Sequence, residues 1–286
     1  MRLTTATITV PALLVLTALS TNAHAGGSVW LPAPGAASLT VTYVSQDADD
    51  FWHIVDGRMS HTPFGPGLEQ TSTFLSATYG LSDAWALDAQ VGWSEASNKV
   101  DAGPHPKLDG RADTKLGVTW RLVDEVFGQI PSVAVRFGLI LEGDYDTAYP
   151  TAIGDGADGF ELSGIVGKVF GNRLALSAEA GTRNRSSGVP NETFMNFDAH
   201  VIAGSHLVLS AQYHLQRSDG DRDIHGPGFT RFVLPFVDEE LDRLSLGGTL
   251  SFDRFDISVR WYDVTDGRNT ADFNAVSAGL TYHFGG

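Results

Sequence analysis

The chain has 286 residues, no cysteine, and 19 Lys and Arg against 34 Asp and Glu, a formal charge of −15. Without cysteine there is neither a disulfide framework nor a thiolate metal site. The acidic balance argues against nucleic acid as a partner, because phosphate binding needs clustered cations.

In chain order, Met1-Arg2, an almost unbroken apolar run over 10–19 and the small residues of Ala23-His24-Ala25 have the layout of a secretory signal. The expectation is a cleaved signal peptide over 1–25 and a single mature domain over 26–286. The apolar run is roughly half the ~20 residues that a spanning helix needs. Beyond it no stretch of 18 apolar residues occurs, so helical spans are excluded.

What recurs instead is period-two alternation in segments of about ten residues, the pattern of strands with one apolar and one wet face. The first carries Leu39, Val41 and Tyr43; the second Leu75, Ala77 and Tyr79; the third Trp85, Leu87, Ala89, Val91 and Trp93. Leu116, Val118 and Trp120 mark the fourth, and Val133, Val135, Phe137 and Leu139 the fifth. The sixth, over 159–170, alternates poorly and suggests a bulge or a pairing softened by glycine. Leu174 and Leu176, Met195 and Phe197, and Leu207, Leu209 and Tyr213 begin the next three. Leu244, Leu246 and Phe252, then Phe255, Ile257 and Trp261, then Val276, Leu280, Tyr282 and Phe284 complete about twelve.

Connection lengths alternate. Tight turns at 80–83, 171–173, 204–206 and 253–254 separate long loops at 46–69, 95–109, 145–158, 184–192, 217–241 and 264–273, with 122–131 a longer turn on the tight side. Outer-membrane barrels sort short turns to the periplasm and long loops outside, whereas a soluble sandwich has no reason to. Tyr79, Trp85, Trp120, Phe170, Phe252, Phe255 and Phe284 all have outward parity beside the short turns, as one aromatic girdle at the headgroup level. The fold expected is therefore all-β: a transmembrane up-and-down antiparallel β-barrel of about 12 strands in the bacterial outer membrane, with the lipid bilayer as its main partner.

Function then falls to the lumen face, which carries both signs of charge and so argues against a simple ion-selective pore. Arg136 and Arg260 are inward by parity, and Glu161 falls opposite Arg183 as a bridge or a solute-filtering constriction. Asn196, Asp198, His200, Gln212 and His214 gather on the eighth and ninth strands, with Asp198 facing Gln212 or His214. Asp beside His can orient a general base, and two His with a carboxylate can hold a metal. No serine nucleophile or ligand motif accompanies them, so lumen lining and solute contact are expected, with no catalytic residue, metal or cofactor. The acidic turn Gly154-Asp155-Gly156-Ala157-Asp158-Gly159 lacks the spacing and ligand count of a calcium loop. Phe51, Trp52, His53, Phe64, Phe229, Phe232 and Phe236 give the two longest loops apolar groups that would fold into the mouth as a lid or pack on one another.

The alternation of Leu280, Tyr282 and Phe284 resembles the C-terminal signal read by the barrel-insertion machinery, a further expected partner, and departs from it by Gly285 and Gly286. From the Trp30-Leu31-Pro32-Ala33-Pro34-Gly35 opening, through hairpins turning at Gly80-Leu81-Ser82-Asp83 and Gly171-Asn172-Arg173, to the Tyr282-His283-Phe284 ending, the mature chain resembles the outer-membrane transporter family associated with the meta-pathway of phenol degradation. That resemblance implies a porin-like channel that passes small organic or aromatic solutes, and carries no catalytic signature. The alternatives are a barrel enzyme acting on outer-membrane lipid, motivated by Asp198, His200 and His214, and a plugged structural barrel.

Overall fold

The computed structural model describes residues 27–55, 58–100, 104–125, 130–224 and 226–285. The secretory segment expected over 1–25 lies outside them. Twelve strands follow one another: β1 Ala37–Val55, β2 Arg58–Ser82, β3 Trp85–Asn98, β4 Leu108–Val123, β5 Ser132–Leu141, β6 Gly159–Phe170, β7 Leu174–Arg185, β8 Glu192–Ala203, β9 Leu207–Ser218, β10 Glu240–Ser251, β11 Phe255–Arg268 and β12 Thr270–Phe284. Each pairs antiparallel with its sequence neighbours, and β1 pairs β12 from Ala37 opposite Phe284 upwards, which closes the barrel. Closure leaves no row of unpaired amides, each of which would cost several kcal/mol in hydrocarbon.

Alternation sets the two surfaces. On the seam, Leu39, Val41, Val276 and Leu280 stand on the outer wall, Leu280 with 53% of its surface free, while Thr40, Thr42 and Thr281 point inward and are buried. Thr40 and Thr281 share a 2.9 Å hydroxyl hydrogen bond inside. So much uncovered aliphatic surface is stable only in a nonpolar solvent. All seven girdle aromatics lie exposed on this wall near the short turns. Trp85 stacks on Trp120 at 5.3 Å and Phe252 on Phe255 at 4.7 Å.

Two expectations about elements need correction. The segments 46–69 and 264–273 are not loops: β1 and β2 continue paired to Val55 and Arg58, and β11 and β12 are separated by Asn269 alone. Above the bilayer both faces of a strand are wet, so the apolar alternation stops although the hydrogen-bonded ladder does not. Asn269 makes that tight hairpin possible with φ of 52°, and it is buried under the β9–β10 connection, accepting from Ile224 N at 3.0 Å. The second correction is β6, which pairs with β5 and β7 in unbroken register, without a bulge. Its alternation is blurred because Ile165 is apolar yet faces inward. Of the turn over 122–131, residues 126–129 lie outside the described residues.

Ile165 has a partner in the lumen. The segment ahead of β1 enters the barrel from the short-turn end, where Gly35 N donates to Gly80 O at 2.8 Å and Gly80 N to Ala36 O at 2.9 Å. Further in, Val29 and Trp30 form a buried apolar cluster with Ala134, Ile165 and Ala175 of the wall. Gly80 and Gly167 make room: a Cβ would lie 2.3 Å from Ala33 O at the first and 2.5 Å from Val29 Cγ1 at the second.

Candidate functional site: the lumen and its outer vestibule

From the short-turn end upward, the lumen is first filled and then opens. Trp30 packs edge-on to His200, ring centroids 6.4 Å apart, so His200 is buried against the inserted segment instead of facing free lumen. Sequence reasoning treated Trp30 as part of a motif and missed this role. The readable signal was the apolar inward parity of Ala134, Ile165 and Ala175.

Above this plug a ladder of charges runs around the wall. Arg136, 2% exposed, donates to Asp88 Oδ2 at 2.7 Å and to Glu161 Oε1 at 2.6 Å. Arg183 donates to Glu161 Oε2 at 3.1 Å and also holds Glu192. The expected Glu161–Arg183 pair therefore exists, in direct register between β6 and β7, but it is one link in a chain from β3 to β8. Arg136 sits on β5 and Asp88 on β3, so its guanidinium crosses β4 at Gly117, where a Cβ would lie 2.4 Å from both Arg136 Nη2 and Asp88 Oδ1. A glycine in mid-strand weakens the ladder, and here it is what lets the arginine reach over.

The cluster on β8 and β9 resolves into amide pairs. Asp198 stands opposite Gln212 and accepts from its Nε2 at 2.8 Å, whereas His214 stands opposite Asn196 with Nδ1 2.7 Å from Asn196 Oδ1. Asp198 and His214 are not bonded to each other, so the oriented general base that motivated a lipid enzyme is not formed. Arg260 donates to the Ser245 and Ser210 hydroxyls, each at 3.1 Å.

Two cavities of about 230 and 320 Å³ occupy the middle lumen. Over the long-loop end lies a larger vestibule of about 740 Å³, with Phe51, His53, Tyr149, Phe229 and Leu234 among its walls. Arg231 closes part of the rim by lying over the Tyr149 ring at 4.3 Å. Of the expected lid aromatics, Phe51, His53 and Phe229 face this space, while Trp52 stacks on His61 at 4.3 Å and Phe232 is exposed. Phe236 lies under the Arg222 guanidinium, and the side chain of Phe64 lies outside the described residues. In the acidic turn Asp158 accepts from Glu142 N at 2.8 Å, and Asp155 lines the vestibule with Glu239. Burial, reinforced for Glu239 by Asp155 and partly offset by the Thr270 hydroxyl, pushes Glu239 up to about 8. Burial likewise raises Asp155 to about 6, against the pull of Arg185. The mouth thus carries less negative charge at neutral pH than its carboxylates suggest.

A closed antiparallel barrel with an aliphatic outer wall, a polar lumen, short turns at one end and extended hairpins at the other is the fold of outer-membrane β-barrels. No family model and no curated protein matches the chain. Among solved structures it is similar to the COG4313 outer membrane channel from Pseudomonas putida F1, at 14% identity and a TM-score of 0.71 over 89% of this chain and 97% of that one. It is also similar to the translocator domain of the autotransporter NalP from Neisseria meningitidis, at 12% identity and a TM-score of 0.53 over 94% of each chain. These likenesses establish the barrel fold.

Proposed function

We propose that the protein is a passive channel of the bacterial outer membrane for small organic solutes, aromatic ones among them. The observation that carries this reading is the set of cavities inside a lipid-facing barrel: a vestibule of about 740 Å³ with aromatic and aliphatic side chains among its walls at the long-loop end, and spaces of about 230 and 320 Å³ in the middle lumen that share Lys115 and Arg243. Volumes of roughly 300–1,000 Å³ with few polar groups suit small molecules. The resemblance to the transporter family associated with the meta-pathway of phenol degradation supports aromatic solutes. On this reading Val29 and Trp30 narrow the lower lumen and must shift for solute to pass, residues 1–25 are removed on export, and the β12 strand is read by the insertion machinery. Asp198, Gln212, His214, Arg136, Glu161, Arg183 and Arg260 line or brace the path, and His200 seats the inserted segment.

The test is solute flux into liposomes containing the refolded chain, beside planar-bilayer recording. Flux of small aromatics above that of empty liposomes is expected. A folded barrel with neither flux nor conductance would overturn the proposal, and the plugged structural barrel would take its place.

A further inference from the structure

Two cations in the middle lumen have no ion-pair partner among the described residues. Lys115 on β4 points inward opposite Gln90, and Arg243 on β10 points inward opposite His214. Both line the same two cavities. Among the described residues neither makes an ion pair or a hydrogen bond; the Arg243 guanidinium lies over the Tyr262 ring at 5.4 Å, and its Nε is buried without an acceptor. The carboxylates nearest Lys115 are already engaged. Glu161 is held by Arg136 and Arg183, and Asp113 accepts from Gly143 N, the Tyr145 hydroxyl and Arg185.

Every other arginine of this belt has found a carboxylate or a hydroxyl, so two that have not are a departure from the wall's own pattern. Taking an ammonium or guanidinium out of bulk water without an anion costs several kcal/mol. A third donor without a partner among the described residues faces the same space: the buried Thr42 Oγ1 lines the larger cavity. Phe74, Phe273 and Tyr262 supply flat apolar walls there, and Asp113 is its one carboxylate among the described residues. The cavity's volume of about 320 Å³ matches a ligand of one ring.

We propose that this cavity is a subsite for the carboxylate of a small, flat organic acid. Lys115 and Arg243 take the anion, Thr42 donates to it, and Phe74 and Phe273 receive the apolar body. Charge-assisted hydrogen bonds from two cations are stronger than neutral ones, so a carboxylate is preferred here over its neutral analogue even though the chain as a whole is acidic. This inference rests on the channel reading above and names the class of solute it selects.

The experiment is calorimetric titration of the folded, detergent-solubilised chain at pH 7 with benzoate and with benzamide, its neutral isostere, and with acetate, which has the charge without the ring. Benzoate is expected to bind at least about tenfold tighter than either, equivalent to ~1.4 kcal/mol. Lys115→Gln and Arg243→Gln should each weaken benzoate far more than benzamide and so remove most of that preference, because the charge-assisted bonds are lost only to the carboxylate; Lys115→Arg and Arg243→Lys should keep it. Benzoate and benzamide binding equally to the wild-type chain, which needs no variant to fold, would overturn the subsite. So would an undiminished preference in both Gln variants. Acetate binding as tightly as benzoate would overturn the part given to Phe74 and Phe273. Current through the barrel without a benzoate preference would overturn the subsite alone; the preference in a barrel that passes neither current nor solute would overturn the channel reading and leave the subsite standing.

Discussion

Arg136 is the residue on which the lumen wall turns. It is almost wholly buried and bonds two carboxylates at once, Asp88 and Glu161. Removing one partner of a buried ion pair leaves uncompensated charge, so Arg136→Ala is expected to destabilise the barrel by about 3–5 kcal/mol, measured by denaturant unfolding in detergent micelles. Gly117→Ala should cost less, about 1–3 kcal/mol, because the arginine tip can withdraw although the Asp88 pair is then lost. A Gly117→Ala barrel as stable as wild type would show that the reach over β4 contributes nothing. At the mouth, the folded chain keeps the Glu239 proton up to about pH 8, whereas the ordinary value is 4.5. The unfolded state therefore binds fewer protons between those values, and folded-state stability falls as pH rises from about 4.5 to 8 and then levels off. Melting temperatures across that window should decline less steeply in Glu239→Gln; identical slopes would contradict the assignment. Residue-level pairing was partly legible in the sequence. Glu161 opposite Arg183 follows from hairpin register, which a short turn fixes, whereas for Asp198 the sequence left Gln212 and His214 both open and the structure decides for Gln212. The Arg136–Asp88 bond was not, because it skips a strand and depends on a glycine whose purpose only the side-chain geometry discloses.

At the scale of elements, the twelve strands were legible where lipid is their solvent. There each outward position must be apolar, and the two-residue rhythm follows. Where the strands of the first and last hairpins rise into water that demand ends, so β1 beyond Ser45 and β12 before Asn274 read as loop. The rhythm fails for a different reason at Ile165, where an inward apolar residue answers the inserted segment. That segment held no pattern of its own: ten residues rich in proline and glycine carry no periodicity, and Val29 and Trp30 gain meaning only from the wall they touch. Because the segment adds no strand to the barrel, Trp30→Ala should leave the twelve strands closed, but it empties a buried apolar cluster and should cost about 3–5 kcal/mol of stability while widening the lower lumen. Single-channel conductance is the measurement, and a several-fold increase is expected. Equal conductance in the two proteins would mean that the segment does not limit the path.

Over the whole molecule, one physical division organises the chain: aliphatic and aromatic side chains outside, hydroxyls, amides and paired charges inside, and a loop-built vestibule above. The outer surface was fully predictable, since lipid imposes it. The interior was predictable only as polar, since which cavities remain depends on how ion pairs, glycines and the inserted segment share the space. The central claim, that these cavities form a path for small organic solutes, is tested most directly by recording single channels of the refolded chain in planar bilayers before and after adding small aromatics. Stepwise openings that the aromatics block, with matching uptake by liposomes, are the predicted result. A barrel that is closed and folded by its gel mobility yet gives no openings and no uptake would contradict it.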